Sequence, residues 1–482
     1  MNASDTTTAP RRPATAWPLE NALISAAMAA QRVSWIDAPA RALGLKPFTR
    51  HSLTRQVLVQ LRRTAHGRPT RLRTAFGTFL MPLTTDDATS LIGQAEEAGV
   101  RGPVAALTAD GHRLRLTEHV ALPVSLSILR ARVSAAAAEE AAALLSVRQG
   151  DDTVSRSDWC AHTQRLARRI VLGDDAADDT LVTDILDATT RAADAAEHAD
   201  RIAALHRRFD PYLQDPGTGP LTDDPVALQH ALEMLTRALD DTAAQALALV
   251  TLQPALPAAD RAERAVDEAL HRYPPLPATV HEVRAPFAWH GLAVEAGTEI
   301  LYATTWLNDL DDDQEQTGGT PTAGLCAAPA PCCAAALGVL AATELVRALT
   351  QHAEPALRAP RLKADALPAE LPAHSLALAF TDTEGATVHA ATDTPPPLDA
   401  AQAAAVRAAA AAGQSPAHYA LLITASASRL EEHARQLSDC ARQSGWNHDA
   451  FGERCRMTLL AHAERCARSA ADTRKVAEWL AN

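Results

Sequence analysis

A loop rich in glycine, proline and cysteine leads directly into a long apolar helix between Gly318 and Gln351. Cys326 lies within the loop, and Cys332 and Cys333 stand where the helix is predicted to begin. A sulfur at a helix N-terminus lies beside free amide donors and the positive end of the helix dipole, and both favour the thiolate. Thiolate is the form of cysteine that binds metal ions, iron among them. This stretch therefore predicts a buried helix with a candidate metal-binding sulfur at its start.

A helix that ends in a tyrosine and two prolines precedes this loop. It covers Asp267–Pro277 with the sequence DEALHRYPPLP, and the residues after it predict strands that turn at His290–Gly291 and Ala296–Gly297. This order of helix, hairpin, cysteine loop and apolar helix resembles the cytochrome P450 superfamily. The resemblance implies a mostly α fold with small β-sheets (α+β), a haem b held by a cysteine thiolate, a small hydrophobic substrate and a redox partner.

Composition limits which cellular compartment and which classes of partner are expected. The formal net charge of -13 argues against a nucleic-acid partner, because such proteins neutralise phosphates with basic residues. The longest uncharged stretch, Thr317–Thr343, is broken by glycines and prolines, so no membrane span is predicted. The seven unevenly spaced cysteines and the lack of an apolar run after the first two arginines favour a reducing cytoplasm over export.

At 482 residues the chain predicts one large domain with an addition. We expect a disordered lead over residues 1–19, a cytochrome P450-like domain over 20–385 and a proline-rich linker over 386–398. Residues 399–482 predict a C-terminal helical bundle that the family plan does not contain. We interpret this bundle as an interaction or oligomerisation module.

The resemblance implies that one of three cysteines binds the haem iron. Alignment of the apolar helix with the family pattern gives Cys332 as the ligand, with Cys326 and Cys333 as alternatives. Alanines and prolines replace the usual glycines before Cys332, and alanine costs about 1 kcal/mol or more wherever φ must be positive. A zinc site made of the three cysteines is a poorer interpretation, because paired Cys-x-x-Cys spacing and an obvious fourth ligand are lacking.

The resemblance also places basic side chains near the haem propionates. Residues 111–145 predict two helices broken near Pro123, and the first of them carries His112 and Arg115 as candidate cofactor-binding residues. His281 stands where the family usually offers an arginine. Its charge near neutral pH depends on its surroundings, so the anchoring of a propionate there is weakened.

A long helix is predicted over Ala227–Leu252, with apolar residues at helical spacing. In position it resembles the family helix that crosses the distal face of the haem, where an acid and an alcohol relay protons to bound oxygen. Asp241 and Thr242 are the acid and alcohol pair on this helix, and we assign them the catalytic role. They lie one turn later than the family pattern requires, so the pair is displaced or absent.

The family locks the helix before Tyr-Pro-Pro with a glutamate and an arginine three residues later. Here Glu268 is present, but His271 takes the arginine position. Histidine does not offer the planar two-pronged donor of a guanidinium. Arg272 shares a helix face with Glu268 and is predicted to substitute in part.

Two functions follow from these observations. The first is a haem-thiolate oxidoreductase of the monooxygenase type that acts on a small hydrophobic substrate of secondary metabolism, with Cys332 holding the iron. The second is a haem-poor pseudoenzyme that keeps the fold and activates or stabilises a partner enzyme, as helpers in this superfamily do. The positive evidence for the first is the fold and the ligand cysteine, and the altered motifs and the added helices favour the second.

Overall fold

The computed structural model describes residues 11–30, 49–107, 113–148, 152–192, 194–214, 219–252, 258–312, 324–328, 331–364 and 367–382, and single positions between 424 and 474. The chain divides into two compact units, residues 1–387 and 388–482. The helices described in the first unit are α1 Pro18–Ala30, α2 Arg50–Thr64, α3 Thr85–Glu97, α4 Leu126–Ser146, α5 Arg156–Leu172, α6 Thr180–Thr190, α7 Ala195–Gln214, α8 Pro225–Arg237, α9 Ala243–Val250, α10 Ala258–Arg272, α11 Thr304–Asp312 and α12 Cys333–His352. The strands described are β1 Ala14–Thr15, β2 Thr70–Thr74, β3 Gly77–Met81, β4 Arg101–Leu107, β5 Arg113–Arg115, β6 Thr279–Val283, β7 Phe287–Trp289, β8 Leu292–Val294, β9 Glu299–Tyr302, β10 Ala353–Ala359 and β11 Ala377–Asp382.

These elements confirm the predicted fold class, mostly helical with small β-sheets. Seven strands form one sheet in the order β1-β2-β3-β9-β6-β4-β5, and β7-β8 and β10-β11 form two antiparallel pairs. The turn predicted at His290–Gly291 joins β7 to β8, with φ of 47° and 74° at its two residues. A glycine suits the second position because it adopts positive φ without a Cβ clash.

The core helix of the first unit is α12. It contacts α4, α8 and α10, and most of its side chains are buried. A helix that is apolar on nearly every side is stable only when other elements cover it. By length and composition α12 is apolar enough to cross a membrane, but 78% of its apolar window is buried inside the protein. Its burial is that of a core helix.

The helix predicted over Ala227–Leu252 is present as α8 and α9, joined by a π-helical turn at Ala238–Thr242. Asp224 caps its N-terminus by accepting a hydrogen bond from the Val226 amide at 2.9 Å. The π turn leaves the Asp240 carbonyl oxygen outside the regular ladder. This oxygen accepts hydrogen bonds from Arg156 Nη1 at 2.8 Å and from Trp159 Nε1 at 3.1 Å. The turn thereby links the long helix to α5.

The first of the two helices predicted between residues 111 and 145 is absent from the described part of that segment. Residues 113–115 form β5, which pairs antiparallel with β4, and a helix begins only at Leu126. Basic and apolar residues alternate there with the two-residue period of a strand. Hydrogen bonding to β4 stabilises the strand over a helix. Arg115 therefore lies on a strand, and His112 lies outside the described residues.

The second unit is described at isolated positions only. Those between 424 and 442, and those between 456 and 474, are helical, as predicted for this part of the C-terminal bundle. Arg474 forms an ion pair with Glu431, which joins the two helical segments. The predicted lead, residues 1–19, is described only from residue 11, and the linker over 386–398 lies outside the described residues.

Candidate functional site

Cys332 is the N-cap of α12, and its side chain is 2% exposed. Its sulfur accepts a hydrogen bond from the backbone amide of Ala335 at 3.4 Å. A buried sulfur in this position satisfies one of the amides that every helix start leaves without a partner. The neighbouring Cys333 points away from the core and is exposed. The structure therefore distinguishes the two adjacent cysteines: only the first faces the protein interior.

Two histidines from distant parts of the chain contact the sulfur of Cys332. His230 Nε2, from α8, lies 3.3 Å from Cys332 Sγ. His119, from the extended segment after β5, has a ring nitrogen within 4.8 Å of the same sulfur, and its ring meets the His230 ring edge to face with centroids 5.5 Å apart. One ligand atom from each of His119, His230 and Cys332 lies within 4.8 Å of the other two.

Cys326 adds a second sulfur to this group. Its Sγ lies 3.8 Å from His230 Nε2. Cys326 and His230 are 4% and 1% exposed. We call His119, His230, Cys326 and Cys332 the Cys–His cluster. Its four side chains come from α8, from the start of α12 and from two separate loops.

The electrostatics of the cluster favour one thiolate and one thiol. Hydrogen bonds, first from Cys326 and then from the two histidines, lower the pKa of Cys332 despite its burial. The hydrogen bond to Cys332 raises the pKa of Cys326, and burial raises it further. The hydrogen bond to Cys332 also raises the pKa of His119. Of the two sulfurs, Cys332 is therefore the one that favours the thiolate.

Among the described residues, a histidine ring occupies the space next to the Cys332 sulfur that a haem would need. A haem whose iron is bound to this sulfur would have to lie between α12 and α8. The His230 ring lies there instead, with Nε2 3.3 Å from Cys332 Sγ. The cavity lined by His119, His230 and Cys326 has a volume of only about 10 Å³, whereas cofactor sites usually enclose about 300–1,000 Å³. A cleft of about 840 Å³ does exist, but Glu268, Arg272 and Glu370 are among its lining residues, and no cysteine is.

His281 and Arg115 were predicted to bind the cofactor. His281 is buried in β6, and its Nε2 lies 3.0 Å from Thr279 Oγ1. Burial lowers the pKa of His281 to about 3, so the ring is neutral and offers no positive charge to a propionate. Arg115 pairs with Ala105 across β4 and β5, and it is half-buried.

The structure does not bring Asp241 and Thr242 to Cys332. His230 takes the place above the sulfur, and Asp241 lies eleven residues later on the same long helix, about 16 Å along its axis. Asp241 pairs with Arg156 at 3.4 Å. Thr242 is fully buried, and its hydroxyl has no hydrogen-bond partner among the described residues. The acid and alcohol lie in the π turn, away from the cluster.

Asp240, which precedes this pair, gives a pH-dependent prediction. Burial raises its pKa to about 6, although hydrogen bonds from Thr163 and Gln164 oppose the rise. A carboxyl whose pKa is higher in the folded state stabilises the fold below about pH 4, and this contribution is lost as the pH rises through 6. We therefore expect Asp240→Asn to raise the free energy of unfolding by about 1–2 kcal/mol at pH 7.5 and by nothing measurable at pH 4.

Urea unfolding of both proteins between pH 4 and pH 8 measures this difference. Asp200→Asn, which changes an exposed carboxylate on α7, is the control and should give a flat difference. A gain for Asp240→Asn that is equal at both ends of the pH range would contradict the prediction.

Glu268 and Arg272 form the predicted substitute ion pair in α10, with Arg272 Nε 3.0 Å from Glu268 Oε1. The arginine is 52% exposed, so water screens the pair. His271 accepts a hydrogen bond at its carbonyl oxygen from Asn308 Nδ2 at 3.0 Å. This contact joins α10 to α11 through the backbone of His271.

Sequence reasoning missed His119 and His230. His230 lies in ALQHALEML, where every neighbour is buried, so it looks like any polar residue on a core helix. It is 102 residues from Cys332, and no local motif connects them. A signal was nevertheless present, because a histidine on the fully buried face of a helix needs a partner across the core.

No protein-family model and no curated protein matches the chain. Solved structures with a similar fold include CYP175A1 of Thermus thermophilus, at 18% identity over 73% of this chain and 99% of that one, with a TM-score of 0.42. CYP108D1 of Novosphingobium aromaticivorans is 13% identical over 68% of this chain and 92% of its own, with a TM-score of 0.47. A six-coordinated cytochrome P450 of Thermus thermophilus is 18% identical over 68% and 98%, with a TM-score of 0.42. These proteins are of the superfamily that the sequence resembles.

Proposed function

We propose that this chain is a haem-independent protein with a cytochrome P450-like fold that serves as an auxiliary or scaffold for a partner enzyme. The observation that carries the proposal is the direct contact of His230 with Cys332, at 3.3 Å, where a porphyrin would have to lie. Without that space the sulfur has no haem iron to bind, and the fold retains its surfaces rather than its oxidative chemistry.

The competing function, a monooxygenase with haem b, requires three features. It needs an open plane at Cys332, an acid and alcohol above that plane, and a positive residue at position 281 for a propionate. In the described residues the plane is filled by His230, Asp241 and Thr242 lie about three turns away, and His281 is neutral. These departures involve the long helix at two separate places and strand β6, so a single side-chain movement would not restore the oxidative site.

The surface of the first unit supports a protein partner. Trp17 beside α1 and Leu19 within it are 71% and 70% exposed, and Leu23 one turn later is 43% exposed. The opposite side of α1, at Ile24 and Met28, is buried in the core. Large apolar side chains exposed together are typical of interaction sites, tryptophan above all. The helical residues of the second unit, outside the resemblance, offer a further surface for a partner or for another copy of the chain.

The test is an absorption spectrum of the purified full chain, expressed with a haem precursor, reduced and exposed to carbon monoxide. We expect no red-shifted thiolate band, and none after incubation with added haemin. Co-expression with an enzyme encoded beside it should give a complex with raised enzyme activity. A thiolate band that disappears in Cys332→Ala would instead establish the monooxygenase, whose substrate would then be sought among small hydrophobic molecules.

A further inference from the structure

We propose that the Cys–His cluster is a zinc site. The ligand atoms of His119, His230 and Cys332 already lie within 4.8 Å of one another, and Cys326, whose sulfur lies 3.8 Å from His230 Nε2, would move in as the fourth ligand. Zinc in structural sites is bound tetrahedrally by cysteine and histidine, with bonds of about 2.3 Å to sulfur and about 2.0 Å to nitrogen. Those bonds place neighbouring ligand atoms about 3.3–3.8 Å apart at the edges of the tetrahedron. The two sulfurs lie 3.3 Å and 3.8 Å from His230 Nε2, which are edge distances of this kind.

The charge of the site suits a divalent cation. Zinc binds cysteine as the thiolate, so metal binding would displace the thiol protons of Cys326 and Cys332 to solvent, and two thiolates would neutralise one Zn²⁺. The resulting neutral centre avoids the cost of a buried charge. Soft sulfur ligands together with imidazole select zinc over calcium or magnesium, which prefer oxygen.

The small cavity beside the cluster is the right size for a single ion. His119, His230 and Cys326 all line it, and its volume is about 10 Å³. That volume holds one water-sized sphere and nothing larger. The cavity therefore has room for one metal ion beside these three side chains.

Hydrogen bonds around the cluster hold its separate segments against α8. Glu233, one turn after His230, accepts from the Thr117 amide at 3.2 Å and so fixes the segment that carries His119. Arg237 pairs with Glu233 and donates to the Leu325 carbonyl oxygen at 3.1 Å, which fixes the residue before Cys326. Outer contacts of this kind orient metal ligands. The ligand set is thus preorganised by residues that do not bind the metal.

Metal analysis of the full chain, purified from zinc-supplemented cells without a metal-affinity tag, tests the site. We expect about one zinc per chain, and less than about a tenth of that in Cys326→Ser and in His230→Gln. Cys333→Ser, which alters the exposed cysteine beside Cys332, should retain the full content. Circular dichroism of each variant shows whether it has folded.

Cobalt provides a readout that does not depend on yield. The metal-free protein titrated with Co²⁺ should show thiolate-to-metal charge transfer in the near ultraviolet and the intense visible bands of tetrahedral cobalt. Both should saturate at about one equivalent and be absent in the folded Cys326→Ser protein. A spectrum of weak octahedral cobalt, or one unchanged in that variant, would overturn the site.

Measurement of haem on the same samples separates this inference from the proposed function. Haem bound through Cys332 would overturn both. A protein that contains neither haem nor zinc, and binds no cobalt at the cluster, would overturn the zinc site alone. Zinc at full content in a chain that raises no partner's activity would overturn the auxiliary role and leave the metal site standing.

Discussion

Replacement of Glu140 by alanine is expected to lower the free energy of unfolding by about 3 kcal/mol. Glu140 lies on α4 with its side chain 2% exposed, and three side chains of α5 converge on it. His162 Nδ1 and Arg169 Nη1 lie 3.1 Å from its carboxylate oxygens, and Arg165 Nη1 lies 3.2 Å away. Without the carboxylate these basic groups would face each other across the helix interface. Urea unfolding followed by circular dichroism measures the loss.

Glu139→Ala is the matched control. Glu139 is the preceding residue on α4 and also pairs with Arg169, at 2.6 Å, but its side chain is 66% exposed. An ion pair screened by water in this way contributes about 0–1 kcal/mol. Equal losses for the two variants would show that the burial of Glu140 does not decide its contribution.

Gly338→Val is expected to lower the free energy of unfolding by about 3 kcal/mol, for a steric reason. Gly338 lies on α12 and faces the end of α8 and the start of the π turn. A Cβ at this position would lie 3.0 Å from the Met234 carbonyl oxygen and 3.1 Å from the Ala238 Cβ. The two further methyl groups of valine have no room there, so the helices must separate. Thermal and urea unfolding report the cost.

Ala336→Val tests whether the effect arises from contact or from helix propensity. Ala336 is half-buried and lies two residues earlier on the same helix. Valine at either position has the same α-helical backbone conformation. Propensity alone predicts a loss of less than about 1 kcal/mol.

Because Met234 follows His230 by one turn, separation of the helices should also weaken cobalt binding at the Cys–His cluster in Gly338→Val. Unchanged stability of Gly338→Val would show that α8 and α12 leave room for a larger side chain at this position.

The features that the sequence predicts well are local. The long helix over Ala227–Leu252 follows from apolar residues at helical spacing, and the turn at His290–Gly291 follows from its glycine. Cys332 at the start of α12 was recognisable because a proline precedes it and an apolar run follows. In each case the evidence lies within one turn or one helix of the residue concerned.

The Cys–His cluster could not be predicted in this way. Its members lie on separate elements, and which face of α8 meets the start of α12 is decided by packing of the whole core. The resemblance implied Asp241 and Thr242 as site residues, because in the family that part of the helix lies above the cofactor. Here the partner of Cys332 is a residue three turns earlier, and the tertiary structure alone identifies it.

The π turn at Ala238–Thr242 has a consequence for how the long helix can evolve. A single extra residue is accommodated there, so everything C-terminal to it is rotated by about 100° relative to an uninterrupted α-helix. Deletion of one residue would restore regular pairing but swing Gln245 away from the Leu371 carbonyl oxygen that it now contacts at 2.8 Å. The inserted residue thus sets the rotation of the C-terminal half of the helix relative to the N-terminal half. Both halves bury their apolar faces against their neighbours only while it is present.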